Sequence, residues 1–142
     1  MFLFEHKIRV RYADTDQMGV VYYGNYATFY ETGRTESFRH LGLSYKSMEE
    51  EGIMLPVLEN WSKFIKPAKY DDLLTVKTML KEMPNSRIRF DYEIFNEKGD
   101  LLNIGYTILV FLDSKSFRPM RMPESIKSLL DPYFQEKIEE LT

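Results

Sequence analysis

Alternation of apolar and polar residues predicts β-strands through much of the chain. Residues 87–94 carry isoleucine, phenylalanine or tyrosine at every second position, with charged side chains between them. A period of two is typical of a strand with one buried and one exposed face, and it specifies the register of that strand. Residues 4–12 alternate in the same way. The pattern therefore predicts two half-buried strands.

Two further segments are expected to pair with residues 87–94. Residues 101–112 are apolar on both faces, and the polar, glycine-containing segment 96–100 is a turn signal that joins them to 87–94 as an antiparallel hairpin. The segment 83–85 contains proline and asparagine and joins residues 73–81 to the same strand. The rest of the middle of the chain is strand-like. The sequence thus predicts an antiparallel meander.

A longer period indicates helices at three places. Small or apolar residues recur with helical spacing over residues 24–41, where Asn25 is a candidate N-terminal cap. A shorter helix is expected at 44–51 and an amphipathic one at 125–141. A long early helix followed by an antiparallel meander is an α+β layout in which the sheet buries the helix. Without an internal repeat or a linker-like segment, we expect one domain over residues 1–142.

Charge and composition exclude several classes of function. The chain has 19 Lys and Arg against 22 Asp and Glu, so it lacks the overall positive field of a nucleic-acid-binding domain. It has no cysteine, which excludes disulfides and cysteine nucleophiles and fits a reducing cytoplasm. The apolar run at residues 1–4 is too short for a signal peptide or a membrane span. Because His6 and His40 lack the spacing of metal ligands, we expect a cytoplasmic protein without a metal.

The strongest candidates for chemistry are Asp14 and Asp16. They follow the first strand and precede the long helix. The free N–H groups of a helix start can polarise a carbonyl oxygen while a nearby carboxylate attacks it or activates water. Both aspartates are also residue types that cap turns, and spacing alone leaves that role open. An aspartyl-phosphate site with magnesium is disfavoured, because such a site follows an apolar parallel strand and strand 4–12 alternates with arginines.

Charged residues elsewhere give further candidates. Glu31 lies on the long helix three residues before Arg34, where the two can form a surface ion pair. If the sheet wraps this helix, Glu31 can instead act as a second carboxylate. Basic residues stand in local islands that can hold the phosphates of a nucleotide-like ligand, although solvated strand faces explain most of them equally well. They are Lys63, Lys66, Lys69, Arg87, Arg89, Arg118 and Arg121.

Residues 11–26 read RYADTDQMGVVYYGNY and closely resemble the signature of the YbgC and 4-hydroxybenzoyl-CoA thioesterase family. The likeness continues with ETGRTE at 31–36, KPAKYDD at 66–72 and RPMRMP at 118–123, so that only the last helix lies outside it. The resemblance implies the hotdog fold, in which a curved antiparallel sheet wraps around one long central helix. That fold agrees with the α+β layout expected from the patterns.

The resemblance also implies roles for individual residues. Asp16 matches the catalytic aspartate of the family, the backbone N–H of Tyr23 matches the group that holds the thioester carbonyl, and Asp14 becomes a supporting loop residue. One departure concerns Tyr23 and Gly24, where members of the YbgC branch usually have histidine and alanine; the aromatic-acyl branch has tyrosine at the first position. Further positions implied to bind substrate are Gly19, Val20, Tyr22, Asn25 and Tyr26.

The implied function is that of an acyl-CoA thioesterase. Its substrate is the coenzyme A thioester itself, with no metal or redox cofactor, and its site typically forms between two subunits of a homodimer or homotetramer. Acyl carrier protein is an alternative carrier, since the reacting bond is the same. A non-catalytic acyl-thioester-binding or regulatory protein is a further alternative, against which the retention of Asp16 argues. A hydroxyacyl dehydratase would need a histidine near the motif, which this chain lacks.

Overall fold

The structure is a computed structural model and describes residues 1–135. The strands are β1 (Phe2–Arg9), β2 (Ile53–Met54), β3 (Val57–Phe64), β4 (Leu73–Leu80), β5 (Arg87–Phe95), β6 (Leu101–Val110) and β7 (Leu112–Asp113). The helices are α1 (Asn25–Leu41), α2 (Tyr45–Glu50) and α3 (Glu124–Phe134), and a 3₁₀ turn covers Tyr12–Asp14.

Five strands form one antiparallel sheet in the order β1-β4-β5-β6-β3. The hairpins β4-β5 and β5-β6 confirm the predicted meander, and β2 and β7 form a separate two-stranded ribbon. In β5 the four alternating apolar side chains are buried, as their period predicted. The two edge strands are β1 and β3, and β3 is exposed at nearly every position.

Helix α1 packs on one face of this sheet. Tyr30 and Phe38 are fully buried, and the Phe38 ring meets the Phe90 ring of β5 edge-on with 5.5 Å between centroids. The helix comes close to β4 at Gly33, where an added Cβ would lie 2.9 Å from Cγ1 of Val76. A methyl group there would push the helix off the sheet, so glycine sets this spacing. The predicted α+β layout, with the sheet covering a long helix, is confirmed.

Two element boundaries differ from the prediction for local reasons. Strand β1 ends at Arg9 and not at residue 12, because the carboxylate of Asp14 accepts the N–H of Arg11 at 2.8 Å and bends the chain into the 3₁₀ turn. Strand β6 ends at Val110, since the N–H of Phe111 turns to the carbonyl of Ser86 at 3.1 Å. The chain then re-enters a strand as β7.

The helix ends also differ in detail. Asn25 was expected to cap α1, but the N-cap is Gly24 and Asn25 is the first helical residue. Gly42 ends α1 in the left-handed conformation, and Ser44 caps α2 by accepting the N–H of Ser47 at 3.0 Å. Helix α3 covers Glu124–Phe134. A helix was predicted over residues 125–141, and the part of that prediction from residue 136 onward lies outside the described residues.

Candidate active site

Asp14 anchors the loop between β1 and α1. Its side chain is buried, with 5% of the residue exposed, and accepts the N–H of Arg11 at 2.8 Å and the Arg11 guanidinium at 3.0 Å. Its carbonyl oxygen accepts the Tyr22 N–H at 2.9 Å and the Asn25 Nδ2 at 2.8 Å. Both the side chain and the backbone of Asp14 are thus occupied in tying the loop to the start of α1.

Asp16 lies in a tight turn within the same loop and is less enclosed. Its N–H donates to the Val20 carbonyl at 2.9 Å, and its own carbonyl accepts the Gly19 N–H at 3.0 Å. The carboxylate oxygen Oδ1 accepts the Met18 N–H at 2.8 Å. Within residues 1–135, the second carboxylate oxygen has no hydrogen-bond partner. One oxygen therefore fixes the side chain and the other is free to react.

The start of α1 offers N–H groups to a ligand. Gly24 has no side chain with which to cap the helix. The N–H groups of Asn25 and Tyr26 donate to the carbonyls of Tyr22 and Tyr23, whereas those of Tyr23 and Gly24 have no partner in the described part of the chain. Free N–H groups at the positive end of the helix dipole stabilise negative charge on an oxygen. This is the property needed to hold a carbonyl that becomes an oxyanion.

Asp16 and Tyr23 line the same depression, with a volume of about 310 Å³. One wall comes from the loop and the start of α1, and the other from the end of β3 and the residues after it. Tyr26 contacts Phe64 across the depression, with ring centroids 5.2 Å apart. Apart from Asp16 and Lys66 the lining is apolar or aromatic: Met18, Val20, Val21, Tyr23, Tyr26, Phe64, Ile65 and Pro67.

The other residues implied by the motif take up different positions. Val20 and Tyr26 line the depression, and Asn25 holds the loop through Asp14. Gly19 closes the Asp16 turn with a φ of 77°. The Tyr22 ring lies against Tyr23, 4.7 Å between centroids, and covers Gly24 so closely that an added Cβ would lie 2.7 Å from Cε2 of Tyr22. The glycine at this departure from the YbgC branch therefore makes room for the Tyr22 ring.

Lys66 and Lys69 lie beside the loop that carries Asp16. Lys66 lines the Asp16 depression and also a neighbouring one of about 540 Å³, which Lys69 and Lys98 line as well. This larger depression is polar and contains three carboxylates, those of Asp72, Glu97 and Asp100. The smaller depression is the candidate active site, because it combines Asp16, the helix start and apolar walls.

Arg87 and Arg89 are not brought together with these lysines within one chain. They lie at the beginning of β5, whereas Lys66 and Lys69 face the turn that follows its end. Arg89 pairs with Asp91 at 3.2 Å, and its guanidinium lies 4.1 Å from the centre of the Tyr106 ring. The arginines line a separate depression of about 350 Å³ with Lys81.

Glu31 is exposed on α1, and the Asp16 depression does not include it. It lies six positions after Asn25, about 9 Å further along the helix axis. The expectation that Glu31 and Arg34 form a surface ion pair is wrong, because Arg34 is buried under α2. Its guanidinium donates to the Tyr45 hydroxyl at 3.2 Å and to the Tyr92 hydroxyl at 3.5 Å.

Sequence reasoning missed the β3 wall of the depression. Phe64 and Ile65 are 51% and 45% exposed, which is unusual for large apolar side chains next to a sheet. The signal was present as an apolar pair directly before Lys66-Pro67, but the strand around it has no regular alternation. Only the folded arrangement brings this pair opposite Asp16.

No three His, Asp or Glu side chains among residues 1–135 cluster closely enough to hold a metal ion. None of the helices there has both the length and the apolar character needed to cross a bilayer.

Comparison with known proteins gives consistent matches over most of the chain. The sequence profile of the Thioesterase-like superfamily matches residues 10–130. The acyl-CoA thioester hydrolase YbgC of Escherichia coli O6:H1 is 35% identical over 124 residues, 87% of this chain and 92% of that protein. The chloroplastic acyl-acyl carrier protein thioesterase ATL3 of Arabidopsis thaliana is 35% identical over 127 residues, 87% of this chain and 65% of that protein.

A solved structure matches equally well. The DHNA-CoA thioesterase from Staphylococcus aureus superposes with a TM-score of 0.81 at 39% identity, covering 98% of this chain and 88% of that one. The resemblance drawn from residues 11–26 is thereby confirmed, together with the hotdog fold. This protein belongs to the thioesterase-like superfamily.

Proposed function

We propose that this protein hydrolyses acyl-CoA thioesters in the depression beside Asp16. The observation that carries the proposal is the Asp16 carboxylate, which has one oxygen held by Met18 and one oxygen without a partner in residues 1–135. It shares an otherwise largely apolar depression with the start of α1. A related protein named as an acyl-CoA thioester hydrolase supports coenzyme A as the carrier.

The chemistry follows from two groups. The Tyr23 N–H donates to the thioester carbonyl oxygen and, with the dipole of α1, stabilises the negative charge that develops there. The Asp16 carboxylate attacks the carbonyl carbon or removes a proton from the water that attacks it. In both routes the carbon–sulfur bond breaks, the thiolate of coenzyme A leaves and takes up a proton, and water supplies the hydroxyl of the free acid.

These two routes are separated by one experiment. A rapid-quench single turnover with enzyme in excess accumulates a covalent acyl-enzyme only if Asp16 is the nucleophile. If Asp16 activates water, free acid forms without a covalent intermediate.

The walls of the depression favour an apolar or aromatic acyl group. Phe64, Ile65 and Tyr26 present carbon surface beside Asp16, and burial raises the pKa of the Tyr26 phenol, so its hydroxyl stays neutral. A negatively charged acyl group would lose hydration against these walls and lie beside the Asp16 carboxylate, with Lys66 as the one basic side chain of the lining. We therefore propose that hydrophobic and aromatic acyl-CoAs are the best substrates.

Acyl carrier protein is the second candidate carrier, because the plant relative ATL3 is named for it. Lys66 and Lys69 favour coenzyme A, since Lys66 lines both the Asp16 depression and its larger neighbour, and Lys69 lines that neighbour, which is large enough for part of a polyanionic carrier. Replacing Lys66 by glutamine should raise KM for acyl-CoA more than it lowers kcat, because such a contact is nearly the same in the ground and transition states. An unchanged KM and an unchanged salt dependence would remove Lys66 from the binding site.

We also propose that the protein is a homodimer in which two copies join along β3. Among residues 1–135 this edge strand pairs only with β6, and its Val57, Leu58 and Trp61 are 47%, 49% and 45% exposed. An apolar, unpaired edge is a template for association unless another chain covers it. A second copy that pairs edge to edge would satisfy the backbone groups and cover these side chains with two-fold symmetry.

A panel of acyl-CoAs tests the function. It should span short, long and aromatic acyl groups, and release of the free thiol should be followed for each. We expect turnover of several members, with the highest kcat/KM for apolar or aromatic groups. Binding of acyl-CoA without any thiol release would identify the protein as a non-catalytic acyl-thioester-binding member, and turnover of acyl carrier protein thioesters alone would assign the other carrier.

A further inference from the structure

A buried polar cluster joins α1 to β3 through β6. The Tyr30 hydroxyl donates to Oδ1 of Asn103, and Nδ2 of Asn103 donates to Oγ of Ser62 at 2.8 Å and to the Lys63 carbonyl at 3.2 Å. The Tyr30 and Ser62 hydroxyls lie 2.8 Å apart. Because the Tyr30 proton is directed to Asn103, Ser62 is the donor in this last pair. The three side chains therefore form a closed ring of hydrogen bonds.

This ring of hydrogen bonds places polar groups in the core, where their burial costs free energy. Tyr30 and Asn103 are fully buried, and burial raises the pKa of Tyr30 to about 12, so its hydroxyl remains a donor at neutral pH. Gly105 leaves space for the Tyr30 hydroxyl, because an added Cβ would overlap that hydroxyl and lie 2.6 Å from Cζ of the Tyr30 phenol. Apolar side chains would fill this space without any need for matched partners. What the polar ring adds is a fixed geometry between elements, provided that every member is satisfied.

The ring lies directly behind the Asp16 depression. Ser62 and Lys63 immediately precede the residues 64–67 that form its β3 wall. On the helix, Tyr26 forms part of the opposite wall, and Tyr30 follows one turn later on the same face. The ring thus connects the two walls just beyond the point where Tyr26 meets Phe64, with ring centroids 5.2 Å apart.

We propose that Tyr30 is a positioning residue that, with Asn103 and Ser62, sets the width of the Asp16 depression and so selects the acyl group. This inference rests on the proposed thioesterase activity. Tyr30 touches neither the carboxylate of Asp16 nor the free N–H groups of the helix start. It acts by holding the β3 wall at a fixed distance from α1.

The test compares Tyr30→Phe with Tyr92→Phe. The two phenols are stacked in the core with centroids 4.2 Å apart and ring planes 4° apart, and each loses one buried hydroxyl. The Tyr92 hydroxyl faces Arg34 of α1 and Thr107 of β6, so its removal leaves the contact between α1 and β3 intact. Each enzyme is assayed for kcat and KM with one aromatic and one short aliphatic acyl-CoA.

We expect the ratio of the two kcat/KM values to change about fivefold or more in Tyr30→Phe and less than about twofold in Tyr92→Phe, because a small displacement of a pocket wall alters discrimination between acyl groups. Ser62→Ala breaks the same ring of hydrogen bonds from its exposed side. It should change the ratio of the two kcat/KM values in the same way, and it replaces Tyr30→Phe if that variant folds poorly. Equal ratios in wild type, Tyr30→Phe and Ser62→Ala would overturn the inference.

A second measurement is independent of turnover. Amide hydrogen exchange over residues 62–67 should be faster in Tyr30→Phe than in wild type and unchanged in Tyr92→Phe. If the wild-type protein hydrolyses no acyl-CoA of the panel, the proposed function fails, and exchange alone decides whether Tyr30 holds the β3 wall. Identical exchange in all three proteins would then show that it does not.

Discussion

Asp14 and Asp16 show how two identical side chains two residues apart acquire different roles. Asp14 is buried, and its carboxylate is bound by the backbone and side chain of Arg11. Asp16 keeps one oxygen without a partner among residues 1–135 and lines a depression. A carboxylate whose oxygens are already hydrogen-bonded within the loop is unavailable for chemistry, whereas one with a fixed position and a free oxygen can react. The structure therefore separates the supporting aspartate from the candidate catalytic one.

The close contact between Gly24 and the Tyr22 ring predicts the effect of a larger residue at position 24. In Gly24→Ala the new methyl group meets Cε2 of Tyr22 at 2.7 Å, and the half-exposed ring must move away. Since an exposed side chain gives way easily, we expect the free energy of unfolding to change by less than about 1 kcal/mol. We expect kcat/KM for the best acyl-CoA to change about threefold or more, because the ring moves next to Tyr23. Chemical denaturation and steady-state kinetics measure the two effects.

The matched control is the same substitution in a Tyr22→Ala background. With the ring absent the methyl group has nothing to displace, so the kinetic effect of Gly24→Ala should largely disappear. An effect of equal size in both backgrounds would place its origin in the helix start itself.

At the scale of elements, the interface between α1 and the sheet predicts how stability depends on pH. Burial raises the pKa of both Tyr30 and Tyr92 to about 12, from an ordinary value of 10.0. A raised pKa means that the folded state keeps the proton longer than the unfolded state. The contribution of these two protonated tyrosines to the free energy of unfolding is therefore complete below pH 10 and is lost as the pH rises towards 12.

We expect the free energy of unfolding to fall across this window, by up to about 1.4 kcal/mol per pH unit for each of the two tyrosines. Urea denaturation at several alkaline pH values, with tyrosinate absorbance recorded in parallel, measures it. The double variant Tyr30→Phe, Tyr92→Phe should show a flatter dependence. A slope as steep as that of the wild type in the double variant would assign the alkaline loss to other groups.

The elements themselves were largely predictable from sequence, because their determinants are local. The period of two in β5 and the turn at residues 96–100 specify a hairpin without reference to the rest of the chain. The end of β1 was not predictable in this way, since it depends on the Asp14 side chain bending the backbone. The same holds for the β3 wall of the site, which meets α1 only through long-range packing. Arg34 was misjudged because nothing in its neighbours signals that α2 covers it.

At the scale of the whole molecule, the exposed β3 edge predicts an oligomer. Sedimentation at micromolar concentration should give a mass of at least twice the 16.9 kDa of one chain. Trp61→Lys should shift the equilibrium towards monomer, because it places a charge in the apolar edge where Trp61 stacks on Tyr106 with centroids 5.8 Å apart. Phe117→Lys is the control, since Phe117 is 64% exposed and lies beyond β7, away from this edge. A wild-type protein that sediments only as a monomer would contradict the proposed assembly.

The dependence of hydrolysis on the Asp16 carboxylate is tested by the kcat of a folded Asp16→Asn variant. Asparagine keeps the shape of the side chain and its contact with the Met18 N–H but loses the charge needed for attack or proton removal. We expect kcat on the best acyl-CoA to fall by about 10²–10⁴, with fold, oligomer and substrate binding retained. Asp14→Asn is the control: it should destabilise the loop but leave kcat of the folded enzyme within about tenfold of wild type. Near wild-type kcat in folded Asp16→Asn would contradict the assignment.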